Sequence, residues 1–379
     1  MSSAEVSPVS SASSSSSRVV TATTSLTASA RTALTGPSGP ALLRGVLGSV
    51  LLTLGGFGTG ALPVDGGPAA RVGLIGFAFG HGEILALALT WTGVVLLVTA
   101  WLALGPRAVS GRLATRDAVW ATALWSLPLL PAVPLFSRDA WSYLAQGAMT
   151  AAGVDPYEFG PEANPGAFSV EVSPDWQSTA TPYGPLHLLA MRILVALSGG
   201  HPGVGVLLLR LAVFAALGAL VALVVTAARR TGVHPGAAVW MACVSPLSVI
   251  HLAGGLHNEI FPLVACLGAV VLTLDRRYAW AGAAIGVAVA FKATAVIVAP
   301  FLLWIALDAR RRDRAVTRPA IRALGDTAVA AAAAGAVFAL ATLASGTGLG
   351  WLNAISVSDR VINYLSAPTA AAHLIHAVT

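Results

Sequence analysis

The chain has 379 residues, 56% of them hydrophobic and only 10% charged, with a net charge of +6, pI near 10.0 and mean hydropathy +0.78. A soluble domain carries roughly 25% charged residues, so this composition argues against a soluble fold and for an all-α, polytopic helical membrane protein. The positive charge does not mark a nucleic-acid binder, because the arginines fall in short clusters between apolar runs, the pattern that orients a membrane protein.

Taken in order, residues 1–36 are rich in Ser, Thr and Ala and lack an apolar signal core. They are expected to form a disordered cytoplasmic tail, followed by one polytopic transmembrane unit over 37–379. The apolar runs Ala41–Leu62, Ile84–Gly105 and Ala118–Phe136 each read as one crossing. Arg107, Arg112 and Arg116 lie between the second and third runs. The positive-inside rule puts that loop and the N-terminus in the cytoplasm, leaving 137–184 outside.

Pro185–Ser198 is too short to span comfortably and reads as an interfacial or re-entrant helix. Val204–Ala228 crosses inward to Arg229-Arg230, Pro235–Ala253 returns outward, and Ile260–Leu274 goes back in. Tyr278–Leu307 is flanked on both sides by arginines, which predicts a shallow hairpin with Lys292 near its outer tip. Ile321–Ala344 crosses outward and Ser345–Thr379 follows outside, giving about nine crossings. Cys243 and Cys266 sit inside apolar runs and read as packing residues.

The loop after the third run is the main departure from apolar sequence. Ser137 to His187 holds six carboxylates against one cation, Arg138. A polar loop of this length between spans reads as functional. In a helix starting near Ser137, Asp139, Tyr143, Gln146 and Thr150 share a face. Asp139 then reads as a general base or as a first-turn carboxylate favoured by the helix dipole. Tyr157 and Trp176 suit sugar faces or the interfacial aromatic belt. Asp155-Pro156 reads as a turn, and Pro182-Tyr183-Gly184-Pro185 as a rigid turn into the interfacial helix.

His257-Asn258-Glu259 follows two glycines that allow close backbone approach. Asn258 reads either as a ligand contact or as a helix cap. No second His/Asp cluster of fixed spacing lies near it, so no metal site and no cofactor are expected. Lys292, inside a long apolar run, is a site for an anion or a snorkelling residue. A carboxylate base, a buried cation, aromatics and an outward cleft fit glycosyl transfer from a lipid-linked sugar. The attacking hydroxyl needs a base and the leaving phosphate needs positive charge.

The stretches SRDAWSYLAQGAMTAAGVDPYEFGP, TPYGPLHLL, GGLHNEI, AFKATAVIVAPF and GWLNAISVSDRVINYLSAPTA carry a resemblance. They resemble the actinobacterial polyprenol-phosphomannose-dependent alpha-1,6-mannosyltransferases, enzymes of the GT-C fold. The resemblance implies Asp139 as catalytic base and Lys292, His257 and Asn258 at the donor phosphate. Arg138, Tyr143, Gln146, Asp155, Tyr157 and Tyr183 are the candidate substrate contacts. It also implies a polyprenyl-phosphate-mannose donor, a mannan or glycolipid acceptor, inversion at the transferred sugar, and an extracytoplasmic active site in the cell membrane. Such enzymes continue with further spans beyond Pro368-Thr369, so a C-terminally truncated member is expected. The competing readings are the same chemistry with another polyprenyl-phosphate sugar, such as arabinose, and a transporter or lipid flippase that uses Lys292 as an intramembrane charge.

Overall fold

The computed structural model describes residues 27–313, 315–354 and 367–378, and every regular element among them is helical. Of the expected N-terminal tail, 1–26 falls outside the described residues. Residues 27–35 form a helix (α1), which corrects the tail's boundary. This helix buries Ala33 and accepts the Trp120 indole N–H on Ser29 Oγ at 3.0 Å.

Among the described residues, five helical segments are long and apolar enough to cross a membrane: Gly39–Thr59 (α2), Gly80–Val109 (α4), Pro202–Thr231 (α8), Ala293–Arg312 and Pro319–Ser345 (α13). Between α2 and α4 lies the short helix Gly67–Arg71 (α3). The α2–α4 pair packs backbone to backbone. A Cβ on Gly48 would lie 2.9 Å from Gly93 O, and one on Gly93 would lie 2.6 Å from Gly48 O. Small residues at facing positions allow this approach, which is how membrane helices associate where burial alone gives no drive.

The expected third crossing, Ala118–Phe136, is corrected. The helix Thr115–Ser126 (α5) ends in a single 3-10 turn, Leu127–Leu129, and the chain then runs irregularly to Arg138. Pro128, Pro131 and Pro134 remove donors and bias the residues before them away from helix. The chain re-enters helix at Asp139–Ala151 (α6), after Phe136 in the left-handed region at φ 61°.

Pro185–Leu197 (α7) is the short helix expected at the interface, and α8 ends at Thr231, one residue after Arg229-Arg230, with Gly232 beyond it at φ 74°. The expected run Pro235–Ala253 divides into a short helix, Pro235–Ala242 (α9), and a π-helical segment, Ser248–Gly254. Ile260–Leu274 (α10) and Tyr278–Phe291 (α11) follow. Lys292 then breaks the helix with extended backbone, φ −152° and ψ 118°. A 3-10 stretch, Ala293–Val298, leads into Ala299–Arg312 (α12). The long apolar run is therefore two helical pieces with Lys292 at the joint. The last expected outward segment, Ser345–Thr379, lies partly outside the described residues, at 355–366 and 379.

The basic clusters gather in ion pairs away from the polar loop. Arg230 pairs with Asp275 at 2.7 Å, Arg276 with Asp313 at 2.9 Å and Arg310 with Asp326 at 2.8 Å. In the core, Arg210 of α8 is 1% exposed and takes three main-chain carbonyls as acceptors. They are Leu129 O at 2.8 Å, Ala132 O at 2.6 Å and Ala253 O at 3.0 Å. Leu135 N–H also donates to Gly254 O at 3.1 Å. The irregular segment before α6 and the π-helical segment before α10 are thereby held side by side.

Candidate active site

Those two segments end at the residues that matter. Ser137 Oγ accepts the Asp139 N–H at 3.0 Å, and α6 begins at Asp139, so its carboxylate sits in the first turn, where the helix dipole favours it. The second segment delivers His251, then Gly254-Gly255, then Leu256 at φ 59°, then His257, Asn258 and Glu259. A Cβ on Gly255 would lie 2.8 Å from both His257 Cδ2 and His251 O, so this position needs glycine. Phe136 and Leu256 are left-handed non-glycine residues beside the same junction, a backbone strain typical of functional sites.

The side chains converge. His257 Nδ1 lies 3.6 Å from Asp139 Oδ2 and 3.8 Å from Glu259 Oε2. His251 and His257 stack at 3.7 Å with an interplanar angle of 15°. Burial, then the neighbouring His251, holds the His257 imidazole below its ordinary pKa against the pull of both carboxylates. Lys292 Nζ donates to Glu259 Oε1 at 2.6 Å and sits 5.4 Å from the Tyr183 ring centroid. Burial raises the Glu259 carboxyl, but the hydrogen bond and charge of Lys292 outweigh it and leave the group below the usual glutamate value.

An aromatic wall stands behind the lysine. Tyr143 meets Tyr183 edge-on at 5.3 Å and His187 at 5.2 Å, and Tyr183 lies 4.5 Å from His187. His187 is fully buried, and burial, with the charge of Lys292 behind it, drives its pKa down to about 3, so the ring is neutral. Its Nδ1 lies 3.3 Å from Asn258 Nδ2, while its Nε2 is buried with no partner among the described residues. Burial also raises the Tyr143 and Tyr183 phenols, which stay protonated donors.

The structure thus brings together Asp139, Tyr143, Tyr183, His257, Asn258 and Lys292. The other four candidate contacts spend themselves elsewhere. Arg138 donates to Glu171 O, Leu62 O and Glu171 Oε2 at 2.8, 2.8 and 3.0 Å. Gln146 Oε1 accepts from Thr181 Oγ1 at 3.0 Å and ties the loop to α6. Asp155 is exposed and accepts the Tyr157 N–H at 2.8 Å in a local turn. Tyr157 packs with Leu188 and Trp351.

Three functional-looking residues were not singled out from the sequence. Lys292 was expected as a bare ammonium, and Glu259 supplies its partner. His187 closes the TPYGPLH motif, and its burial beside Tyr143 is the signal. His251 lies six positions before His257, and its approach depends on the two glycines between them. The expectation of no ligand set did not anticipate it: one donor atom each from His251, His257 and Glu259 lie within 4.8 Å of one another.

The family described as "Alpha-(1->6)-mannopyranosyltransferase, N-terminal domain" matches residues 42–308. The Alpha-(1->6)-mannopyranosyltransferase A of Mycobacterium tuberculosis is 40% identical over 339 residues, covering 89% of this chain and 65% of that protein. The protein of the same name in Corynebacterium glutamicum is 36% identical over 342 residues, covering 86% of this chain and 70% of that protein. A probable alpha-(1->6)-mannopyranosyltransferase of Mycolicibacterium smegmatis is 32% identical over 360 residues, covering 86% of this chain and 63% of that protein. The chain thus spans less than two thirds of the length of the first and third of these relatives. No solved structure matches the chain. The extent of the family match, together with these identities, shows that the chain belongs to the alpha-(1->6)-mannopyranosyltransferase family.

Proposed function

We propose that the chain carries the donor site and catalytic base of a membrane mannosyltransferase. In this reading it moves mannose from polyprenyl-phosphate-mannose to a 6-hydroxyl of a mannan or glycolipid acceptor, with inversion, on the extracytoplasmic face. The observation that carries the reading is the meeting of Asp139 and the Glu259–Lys292 pair against the wall of Tyr143, Tyr183 and His187. The names of the relatives supply the sugar and the linkage, and the ion-paired arginines at Arg230, Arg276 and Arg310 support an outward-facing site by the positive-inside rule.

The chemistry follows from the residue types. The acceptor oxygen bonds to C1 of the mannose as its proton passes to the Asp139 carboxylate. The bond from C1 to the phosphate oxygen breaks, and its electron pair stays on the phosphate. Lys292 attracts the charge that develops there, so it favours the transition state over the bound donor. Glu259 keeps the lysine paired before the donor arrives, which removes the penalty of a lone ammonium in an apolar setting. Neutral His187, Asn258 and the two tyrosines offer hydrogen bonds to sugar hydroxyls without adding charge.

The test is transfer by the purified chain in lipid nanodiscs, using polyprenyl-phosphate-mannose labelled in the sugar and a short alpha-1,6-mannan acceptor. The expected outcome is label in an acceptor one or more residues longer, released by an alpha-1,6-specific mannosidase. Label that stays in the lipid fraction under all donor and acceptor concentrations would overturn the reading.

A further inference from the structure

We propose that His251, His257 and Glu259 bind a divalent cation of the zinc class, with one coordination position left open toward Asp139. Two imidazoles and one carboxylate with a fourth position free is the donor set of a zinc site that works on a substrate, whereas a purely structural site is closed by four protein ligands. Nitrogen and carboxylate donors together suit zinc, cobalt and manganese better than calcium or magnesium.

The distances carry the argument. One donor atom from each residue lies within 4.8 Å of the other two. His257 Nδ1 and Glu259 Oε2 stand 3.8 Å apart, outside hydrogen-bond range. A tetrahedron with metal–ligand bonds of about 2.1 Å has edges of about 3.4 Å. The pair is therefore too far apart to hold itself together and close to the spacing a shared ion imposes.

The two oxygens of Glu259 are used differently. Oε1 takes the Lys292 ammonium at 2.6 Å, while Oε2 is buried and has no hydrogen-bond partner among the described residues. A buried carboxylate oxygen with no donor is costly and calls for water or an ion. His251 arrives on the π-helical segment Ser248–Gly254, an irregularity that recurs at functional sites. Its ring lies against His257 with centroids 3.7 Å apart and planes 15° from parallel. Because imidazole lone pairs lie in the ring plane, coordination of one ion by both rings requires a turn about the soft terminal torsion of His251.

A role for the cation at the donor rests on the transferase reading above, whereas its binding does not. Asp139 and Glu259 bring two negative charges and Lys292 one positive charge, and a phosphodiester donor adds a further negative charge. With neutral imidazoles the site then carries a net charge of about −2, which a divalent ion cancels. Such an ion would add to the positive charge that Lys292 offers the leaving phosphate.

The experiment uses the full chain in nanodiscs after removal of metal by a chelator. Zinc binding is measured by equilibrium dialysis, and cobalt is added as a spectroscopic probe. The expected result is one zinc per chain, with visible cobalt bands of a four- or five-coordinate site that zinc displaces. His251→Gln and Glu259→Gln should each weaken zinc binding by about tenfold or more, while His201→Gln, on an exposed loop, should not. Thermal unfolding of each variant shows which is folded, and if one fails the other carries the test. Substoichiometric zinc in the parent, or unchanged binding in a folded His251→Gln or Glu259→Gln protein, overturns the site. Zinc binding without mannose transfer supports the site and removes the transferase reading. Transfer at full rate by protein that binds no zinc removes the site alone.

Discussion

Two cation–carboxylate pairs flank the start of α6 and differ in how completely they are satisfied. In the first, Arg138 has three hydrogen bonds to the protein, and Glu171 also accepts the Val64 N–H at 3.0 and 3.2 Å. In the second, Lys292 bonds one oxygen of Glu259 and leans over the Tyr183 ring, while the other oxygen is left without a partner. The lesson is that charge alone does not mark a site. A pair in which both carboxylate oxygens are bonded and three guanidinium N–H groups are held fastens the loop, and a pair with a buried carboxylate oxygen left over is placed to receive something.

The sharpest way to break this comparison is at the carboxylate facing the open pair. Asp139→Asn keeps shape and hydrogen bonding but accepts no proton. Steady-state kinetics with labelled donor should show turnover down about 100-fold or more, with donor affinity largely kept. Near-parental turnover would take Asp139 out of the reaction.

Next in size is the open pair itself. On the proposed mechanism, Lys292→Met should lower turnover by about tenfold or more and weaken donor binding, since the charge it would set opposite the leaving phosphate is gone. It should also leave Glu259 unpaired and lower the melting temperature. Lys292→Met combined with Glu259→Gln should restore the melting temperature and leave turnover low. Recovery of turnover in the double variant would show that the pair serves only the fold.

The closed pair should behave in the opposite way. Arg138→Met strands Glu171, whose side chain is 7% exposed, and a lost hydrogen bond to a charged group is worth about 1.5–3 kcal/mol of stability. Denaturant or thermal unfolding should show this loss, while the KM for donor in the surviving folded protein stays near the parent's. A KM shift with stability unchanged would place Arg138 at the substrate.

The smallest effect is the pH dependence, and its sign separates the pairs. Lys292 holds the Glu259 carboxyl below its ordinary value despite burial, so the stability it adds is present above that value and lost as pH falls through its folded pKa. Burial holds Glu171 above its ordinary value despite the Val64 N–H and Arg138, so its ionisation opposes folding and stability is regained as pH falls through its raised pKa. Melting curves should therefore show the parent gaining on Glu171→Gln as pH falls from 7 toward about 4.5, and losing ground to Glu259→Gln only below about 4.5, the ordinary carboxyl value. Parallel slopes would refute the assignment.

Much of the scaffold was legible in the chain, and much of the site was not. The spans α2, α4 and α8 follow from run length and flanking arginines. The proline-interrupted run before α6 carried its own warning, since three prolines in seven positions do not continue a helix. Lys292 stood out because an ammonium in an apolar run is costly anywhere. Its partner did not, because Glu259 is 33 residues away and only the meeting of α10 and α11 brings them together. His187 meets Asn258 across 71 residues, and His251 reads as one more polar residue at the end of a span until its ring is found on His257. Local pattern reveals charge out of place, whereas pairing across helices is a property of packing.

The Arg210 clamp bears on how this region can change over time. Its three acceptors are main-chain carbonyls, which every amino acid offers alike. Leu129, Ala132 and Ala253 can therefore drift to other apolar residues of similar bulk while the contact survives. Position 210 has no such latitude, because lysine lacks the planar fork that reaches three oxygens at once. A survey of tolerated substitutions should find one rigid position inside an otherwise permissive helix, setting the place of side chains it never touches.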